Sequence, residues 1–127
     1  MSFTRRRYMF DAAHRVAIED HWWNTLHGHT FRVTIDLIFQ PYDEVELTRY
    51  AALIGTWIET TLNRACILDQ ADEHLAEALY AINSKTVLLD CAPTSANIAE
   101  AIKKAVGEIA GAERVGRVQV SGEYLPP

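Results

Sequence analysis

The sequence predicts an α+β fold, and three observations carry that reading. Two segments alternate apolar and polar residues as strands do, and three others place apolar residues at helical spacing. The 127 residues suffice to bury one core and are too few for two. Apolar residues make up 49% of the chain and charged residues 23%, with only 6 Gly and 4 Pro, which excludes disorder and low complexity. A single domain, residues 1–127, is expected, without linker or internal repeat.

Thr4–His14 reads as a strand. Residues 30–39 alternate cleanly, with Phe31, Val33, Ile35, Leu37 and Phe39 on one face against Thr30, Arg32, Thr34 and Asp36. The two strands are expected to pair as neighbours across residues 18–26, a loop too long for a tight hairpin that holds Trp22 and Trp23. After a turn at residues 40–43, Tyr50, Leu53, Ile54, Trp57, Ile58 and Leu62 recur at the spacing of one packing face on a helix of about four turns. A shorter helix covers Glu73–Ala81, and residues 86–90 are extended because β-branched and apolar side chains gather there. Pro93-Thr94-Ser95 is a helix start, where a hydroxyl accepts from the open N–H groups of the first turn. Ile98, Ile102, Val106 and Ile109 continue that helix and Gly111 ends it. Val115–Ser121 is the final strand.

The net charge of −5 and a pI near 5.5 oppose a nucleic-acid partner, which would need phosphates neutralised. The one basic run, Arg5-Arg6-Arg7, reads as the solvated face of the first strand. No apolar stretch approaches the roughly 20 residues that cross a bilayer, and no signal peptide is read. Cys66 and Cys91 lack CxxC spacing and suit free thiols in a reducing compartment. A soluble, cytoplasmic protein without a membrane or nucleic-acid partner is expected.

Four of the five histidines fall at positions 14, 21, 27 and 29. His27 and His29 flank Gly28, and in an extended segment residues two apart point to the same side, so both rings reach one point. If the two strands pair antiparallel, His14 at the end of the first meets them. Three neutral imidazoles with a fourth position open describe a catalytic zinc site, with Zn–N distances of about 2.0 to 2.1 Å. Glu19 and Asp20 would orient a ligand ring as hydrogen-bond acceptors, and Gly28 suits a backbone running close to its neighbours. His21 and His74 are read as non-ligands. An isolated HxH pair is a weak sign, and the plain alternative is a generic oligomeric α+β domain whose histidines bind no metal.

Phe10-Asp11-Ala12-Ala13-His14-Arg15-Val16 resembles the FxAAHxL strand of the 6-pyruvoyl-tetrahydropterin and 6-carboxy-tetrahydropterin synthases. Leu26-His27-Gly28-His29-Thr30-Phe31 resembles their HGHxY/F segment, and Pro93-Thr94-Ser95-Ala96-Asn97-Ile98-Ala99 their PTxENxA stretch. The similarity runs over nearly the whole chain. It implies the tunnelling fold, an antiparallel sheet of two hairpins backed by two main helices. Three subunits would join their sheets into a barrel, and two trimers would stack into a homohexamer with active sites between subunits. It implies zinc on His14, His27 and His29, and a pterin-like small-molecule substrate, 7,8-dihydroneopterin triphosphate or a related reduced pterin. The reaction implied is that of a lyase without redox cofactor, in queuosine or tetrahydrobiopterin biosynthesis. Zinc would polarise side-chain hydroxyls while a base removes a carbon-bound proton. Thr94, Ser95 and Glu123 are the substrate-binding positions it implies.

The departures from that family fall where the chemistry belongs. Trp23 stands four residues before His27, in the place of the family's catalytic cysteine. The family's LDHxxL matches best at Leu62-Asn63-Arg64-Ala65-Cys66-Ile67, which replaces the Asp-His pair by Asn63 and Arg64. A second register at Leu68-Asp69-Gln70 keeps the carboxylate alone. Ala96 replaces the glutamate of PTxEN, and the glutamate that closes the last strand falls on Gly122. Glu123 comes one place late, on the opposite face unless a bulge at Gly122 corrects it. Only residues 123–127 stand where the family runs a further strand. Metal ligands are thus kept and acid–base residues lost. Two readings follow, a zinc-dependent lyase with its base drawn from Glu19, Asp20 or His21, and a non-catalytic homologue that binds zinc and ligand. The two tryptophans are assigned to a subunit contact rather than to stacking on a pterin, and Cys91 to the core.

Overall fold

The computed structural model describes residues 2–16 and 25–122. The strands are β1 (Thr4–His14), β2 (His27–Leu37), β3 (Ala65–Asp69), β4 (Thr86–Leu89) and β5 (Val115–Ser121). The helices are α1 (Glu44–Trp57), α2 (Glu73–Ala81) and α3 (Ser95–Ala110). A π-helical turn, Ile58–Leu62, continues α1, and a 3-10 turn, Ala112–Arg114, precedes β5. The strands form one open sheet in the order β4-β3-β1-β2-β5.

β1 and β2 pair antiparallel along their whole length, from Thr4 opposite Leu37 to His14 opposite His27, and β5 adds antiparallel to β2. The three long strands are therefore antiparallel, as expected. Two short strands extend the sheet beyond β1, with β3 parallel to β1 and β4 parallel to β3. β4 reaches β3 through α2, since parallel neighbours need such a crossover. β3 was not anticipated. Its residues Ala65, Cys66, Ile67 and Leu68 are all buried, and a continuous apolar run of this kind carries no alternation by which to recognise a strand.

Between sheet and helices lies the core. Phe10 and Ala12 of β1 and Phe31, Val33, Ile35 and Leu37 of β2 are clustered with Leu47, Ile54, Ile58 and Leu62 of the first helical segment and Ile98, Ile102 and Val106 of α3. Asp43 caps α1, its Oδ1 accepting from the Glu46 N–H at 3.1 Å, so the helix begins well before the stripe read from Tyr50 onward. With that start Leu47 joins the core. Leu53, expected on the packing face, is 44% exposed, because each residue advances about 100° and Leu53 turns away from the line of Leu47, Ile54 and Ile58.

The basic run divides in the same way. Arg5 and Arg7 are exposed, whereas alternation turns Arg6 to the other side, where it is half-buried. Cys66 is buried and Cys91, beyond the end of β4, is only half-buried, which corrects its assignment to the core; both thiols are free. Among the described residues no helix is long and apolar enough to cross a membrane.

Candidate metal centre

The register of β1 on β2 sets His14 opposite His27 and Ala12 opposite His29. Alternation then sends all three imidazoles to the helix-facing side, next to Phe10 and Phe31 of the core. One ring nitrogen of each lies within 4.8 Å of the others. The ring centroids are 4.5, 5.1 and 4.8 Å apart, with planes at 65°, 78° and 88°, so the rings spread around a common point instead of stacking. His14 is buried, and His27 and His29 are half-buried. Phe31 meets His14 edge-on at 5.4 Å and His29 at 5.5 Å and forms an apolar floor.

Two outer hydrogen bonds decide which nitrogens face inward. His14 Nδ1 is 2.8 Å from the Pro93 carbonyl and His27 Nδ1 is 2.6 Å from the Thr25 carbonyl. A carbonyl only accepts, so in each neutral ring Nδ1 carries the proton and Nε2 the lone pair. Both Nε2 atoms are buried. This is how metal-ligating histidines are usually held, the outer acceptor fixing ring orientation and raising basicity. The acceptors are main-chain carbonyls; Glu19 and Asp20, expected in that role, lie outside the described residues.

The Pro93 carbonyl is itself held by the start of α3. Asn97 Nδ2 and the Thr94 N–H both donate to the Ala92 carbonyl, at 2.8 and 2.9 Å, and Thr94 Oγ1 accepts from the Asn97 N–H at 3.2 Å. Pro93 and Asn97 are thus positioning residues that the sequence reading did not single out. Thr94 caps α3 next to the carbonyl that orients His14, and Ser95 opens the helix half-buried. Just after His14, Arg15 Nε donates to Asp72 Oδ2 at 2.9 Å, tying the end of β1 to the start of α2.

Other expected positions fare differently. A Cβ on Gly28 would meet only the Ala12 carbonyl oxygen, at an ordinary 3.5 Å, so no close approach requires glycine there. On Gly122 it would lie 2.7 Å from a ring carbon of Phe31 and 3.2 Å from its Cα, so that position is closed to a side chain. The irregularity in the β2–β5 ladder falls between Ile35 and Leu37, not at Gly122. Asn63 and Arg64 follow the π-helical turn. Asn63 Oδ1 accepts the Asp11 N–H at 2.9 Å, which makes it a strand tie. Asp69, from the other register, accepts the Ala71 N–H at the far end of β3. His74 is exposed on α2. Glu19, Asp20, His21, Trp22, Trp23 and Glu123 lie outside the described residues.

Neither thiol is a ready base. Burial pushes the Cys66 thiol up, reinforced by the Asp72 charge, and burial followed by Asp90 does the same for Cys91. Both are held as neutral thiols, the opposite of an activated thiolate.

Residues 4–123 match the family model for 6-pyruvoyl tetrahydropterin synthase. The 6-carboxy-5,6,7,8-tetrahydropterin synthase of Rickettsia bellii (strain RML369-C) is 27% identical over 106 residues, covering 80% of this chain and 77% of the relative. That of Rickettsia conorii (strain ATCC VR-613 / Malish 7) is 26% identical over the same length, with the same coverage. The crystal structure of an uncharacterised protein from Wolinella succinogenes superposes with a TM-score of 0.69 at 17% identity, covering 94% of this chain and 92% of that one. The Caenorhabditis elegans 6-pyruvoyl tetrahydropterin synthase gives 0.60 at 16% identity, covering 96% and 89%. These two likenesses show a shared fold, the tunnelling fold that the resemblance to the family implies.

Proposed function

The chain belongs to the 6-pyruvoyl tetrahydropterin synthase family, and from that premise we propose that it is a zinc-binding lyase acting on 7,8-dihydroneopterin triphosphate or a related reduced pterin. One observation carries the metal half of this reading. Three imidazoles converge, and main-chain carbonyls hold two of them in the tautomer that turns Nε2 inward. A neutral three-nitrogen set with room for another ligand suits zinc. His14, His27 and His29 would hold the ion, which when bound supplies Lewis acidity to substrate oxygens.

The chain's own groups do the rest. Thr94 accepts from the Asn97 N–H, leaving its O–H to donate to substrate, and Ser95 adds a second hydroxyl at the same helix start. Glu123, just past β5, would anchor the pterin ring, and the apolar face of Phe31 keeps water from one side of the triad. The base comes from Glu19, Asp20 or His21, between the two strands that carry the ligands. The open sheet edges at β4 and β5 suit closure by further copies into a trimeric barrel and a hexamer. Two cysteines without a disulfide agree with a cytoplasmic setting.

A second reading is a non-catalytic homologue that binds zinc and a pterin-like ligand. It is favoured by Asn63 serving as a strand tie where the family has an aspartate, and by thiols held protonated. Metal analysis of the purified protein, followed by incubation with 7,8-dihydroneopterin triphosphate, decides among the readings. About one zinc per chain is expected, with a thermal midpoint that drops on chelation. His27→Ala should abolish both metal and turnover. Zinc with ligand binding but no turnover would assign the binder, and a metal-free protein indifferent to chelators would overturn both.

A further inference from the structure

Where β1, β2 and β5 run side by side, alternation turns Arg5 and Arg7, Arg32 and Thr34, and Arg117 and Gln119 to the face away from α1 and α3. Thr34 stands at the centre of this group. Its cross-strand partners are Arg7 on β1 and Gln119 on β5. Arg32 and Asp36 lie two residues away on its own strand, and Arg5 and Arg117 sit on the diagonals. All four arginines are exposed. Cross-strand and diagonal neighbours are about 5 to 8 Å apart, close enough for like charges to repel. A chain with 17 acidic and 12 basic residues thus gathers four guanidinium groups around one threonine.

Opposing charge is spent within the sheet. Asp36 is buried and accepts from Arg5, Nε at 2.8 Å and Nη2 at 3.2 Å. Asp11, nearer the other end of β1, accepts the Thr30 hydroxyl at 2.6 Å. Among the described residues no carboxylate forms an ion pair with Arg7, Arg32 or Arg117. The Thr34 hydroxyl and the Gln119 amide add uncharged donors between them. Three strands wide and five residues long, the patch measures about 10 by 13 Å. That suits a chain of a few phosphates and falls far short of the roughly 600 to 800 Å² that a nucleic acid or protein partner covers. Thr34 is five residues from His29 along β2, about 16 Å, and faces the other way.

We propose that the arginines around Thr34 form a binding site for a linear oligophosphate. Each guanidinium fork meets phosphate oxygens through parallel hydrogen bonds, and a chain of phosphates engages several forks where a single phosphate engages one or two. Binding there also relieves the repulsion that the bare face sustains. The site depends on neither zinc nor a pterin.

The test is calorimetric titration of the full chain with phosphate, pyrophosphate and tripolyphosphate at low ionic strength. Affinity should rise in that order. Arg7→Gln and Arg32→Gln should each weaken tripolyphosphate binding about tenfold. Their thermal midpoints should equal or exceed the parent's, because each relieves repulsion at an exposed position. Arg49→Ala, at a surface arginine paired with Glu46, should leave binding unchanged. His27→Ala should also retain it, which separates this site from chelation of a metal or anion binding at one. Saturable binding that lengthens with the phosphate chain and depends on Arg7 and Arg32 supports the proposal. Affinity independent of chain length, unchanged affinity in both glutamine variants, equal loss in Arg49→Ala, loss in His27→Ala or no saturable binding would each overturn it. A single-stranded oligonucleotide that binds more tightly than tripolyphosphate would overturn it in favour of a nucleic-acid partner.

Discussion

Leu53 and Ile54 are chain neighbours of similar volume and opposite fate, the first 44% exposed and the second fully buried beneath the sheet. Ile54→Ala should cost about 2 to 5 kcal/mol, the transfer and cavity terms of a closed site. Leu53→Ala should stay within about 0.5 kcal/mol. Urea unfolding of both variants checks this, and equal losses would mean that α1 is rotated about its axis. Residue by residue, what sequence could reveal was parity. His14, His27 and His29 share a side because strands alternate, and that much needs no structure. The groups that orient them are the carbonyls of Pro93 and Thr25, and every residue has a carbonyl, so nothing in the side-chain pattern marks these two.

The helix starts show how local chemistry is legible when a side chain performs it. The hydroxyls of Thr94-Ser95 mark the start of α3, and Thr94 is the one that caps it; Asp43 caps α1 in the same way, and a stripe read from Tyr50 onward starts that helix too late and displaces its packing face. β3 failed for a different reason, since a strand buried on both faces has no polar side to alternate with. The α3 start also couples helix stability to the candidate metal centre. Thr94→Ala should lower stability by about 1 kcal/mol through loss of the cap. Asn97→Ala should free the Ala92 carbonyl, loosen the turn that aims the Pro93 carbonyl at His14, and weaken zinc binding about 10- to 100-fold, as loss of outer-shell support does. Chelator competition on the two proteins measures it. Unaltered zinc affinity in Asn97→Ala would show that Pro93 is placed by the rest of α3 alone.

Across the whole molecule the sheet separates two kinds of surface. The helix side is apolar and carries the triad, while the other side exposes Arg5, Arg7, Arg32 and Arg117 in a chain of net charge −5. Buried within this cationic face is Asp36, which accepts from Arg5 Nε at 2.8 Å and Nη2 at 3.2 Å across the β1–β2 pairing. The Arg5 hydrogen bonds hold the Asp36 carboxyl below the usual carboxylate range; burial opposes them, and the charges of Arg5 and Arg117 add to the lowering. A group whose folded pKa lies below its unfolded value of about 3.9 binds protons more readily in the unfolded chain. Its stabilisation is therefore complete above that value and disappears as pH falls through the folded pKa. Asp36→Asn should lower the urea midpoint at pH 7, and the gap to the parent should shrink steadily below about pH 4. Because Arg5 is partly exposed, added salt should narrow the gap at pH 7 as well. A gap independent of pH would show instead that Asp36 acts through packing, as the neighbour of Gly116 at the β5 irregularity, and not through its charge.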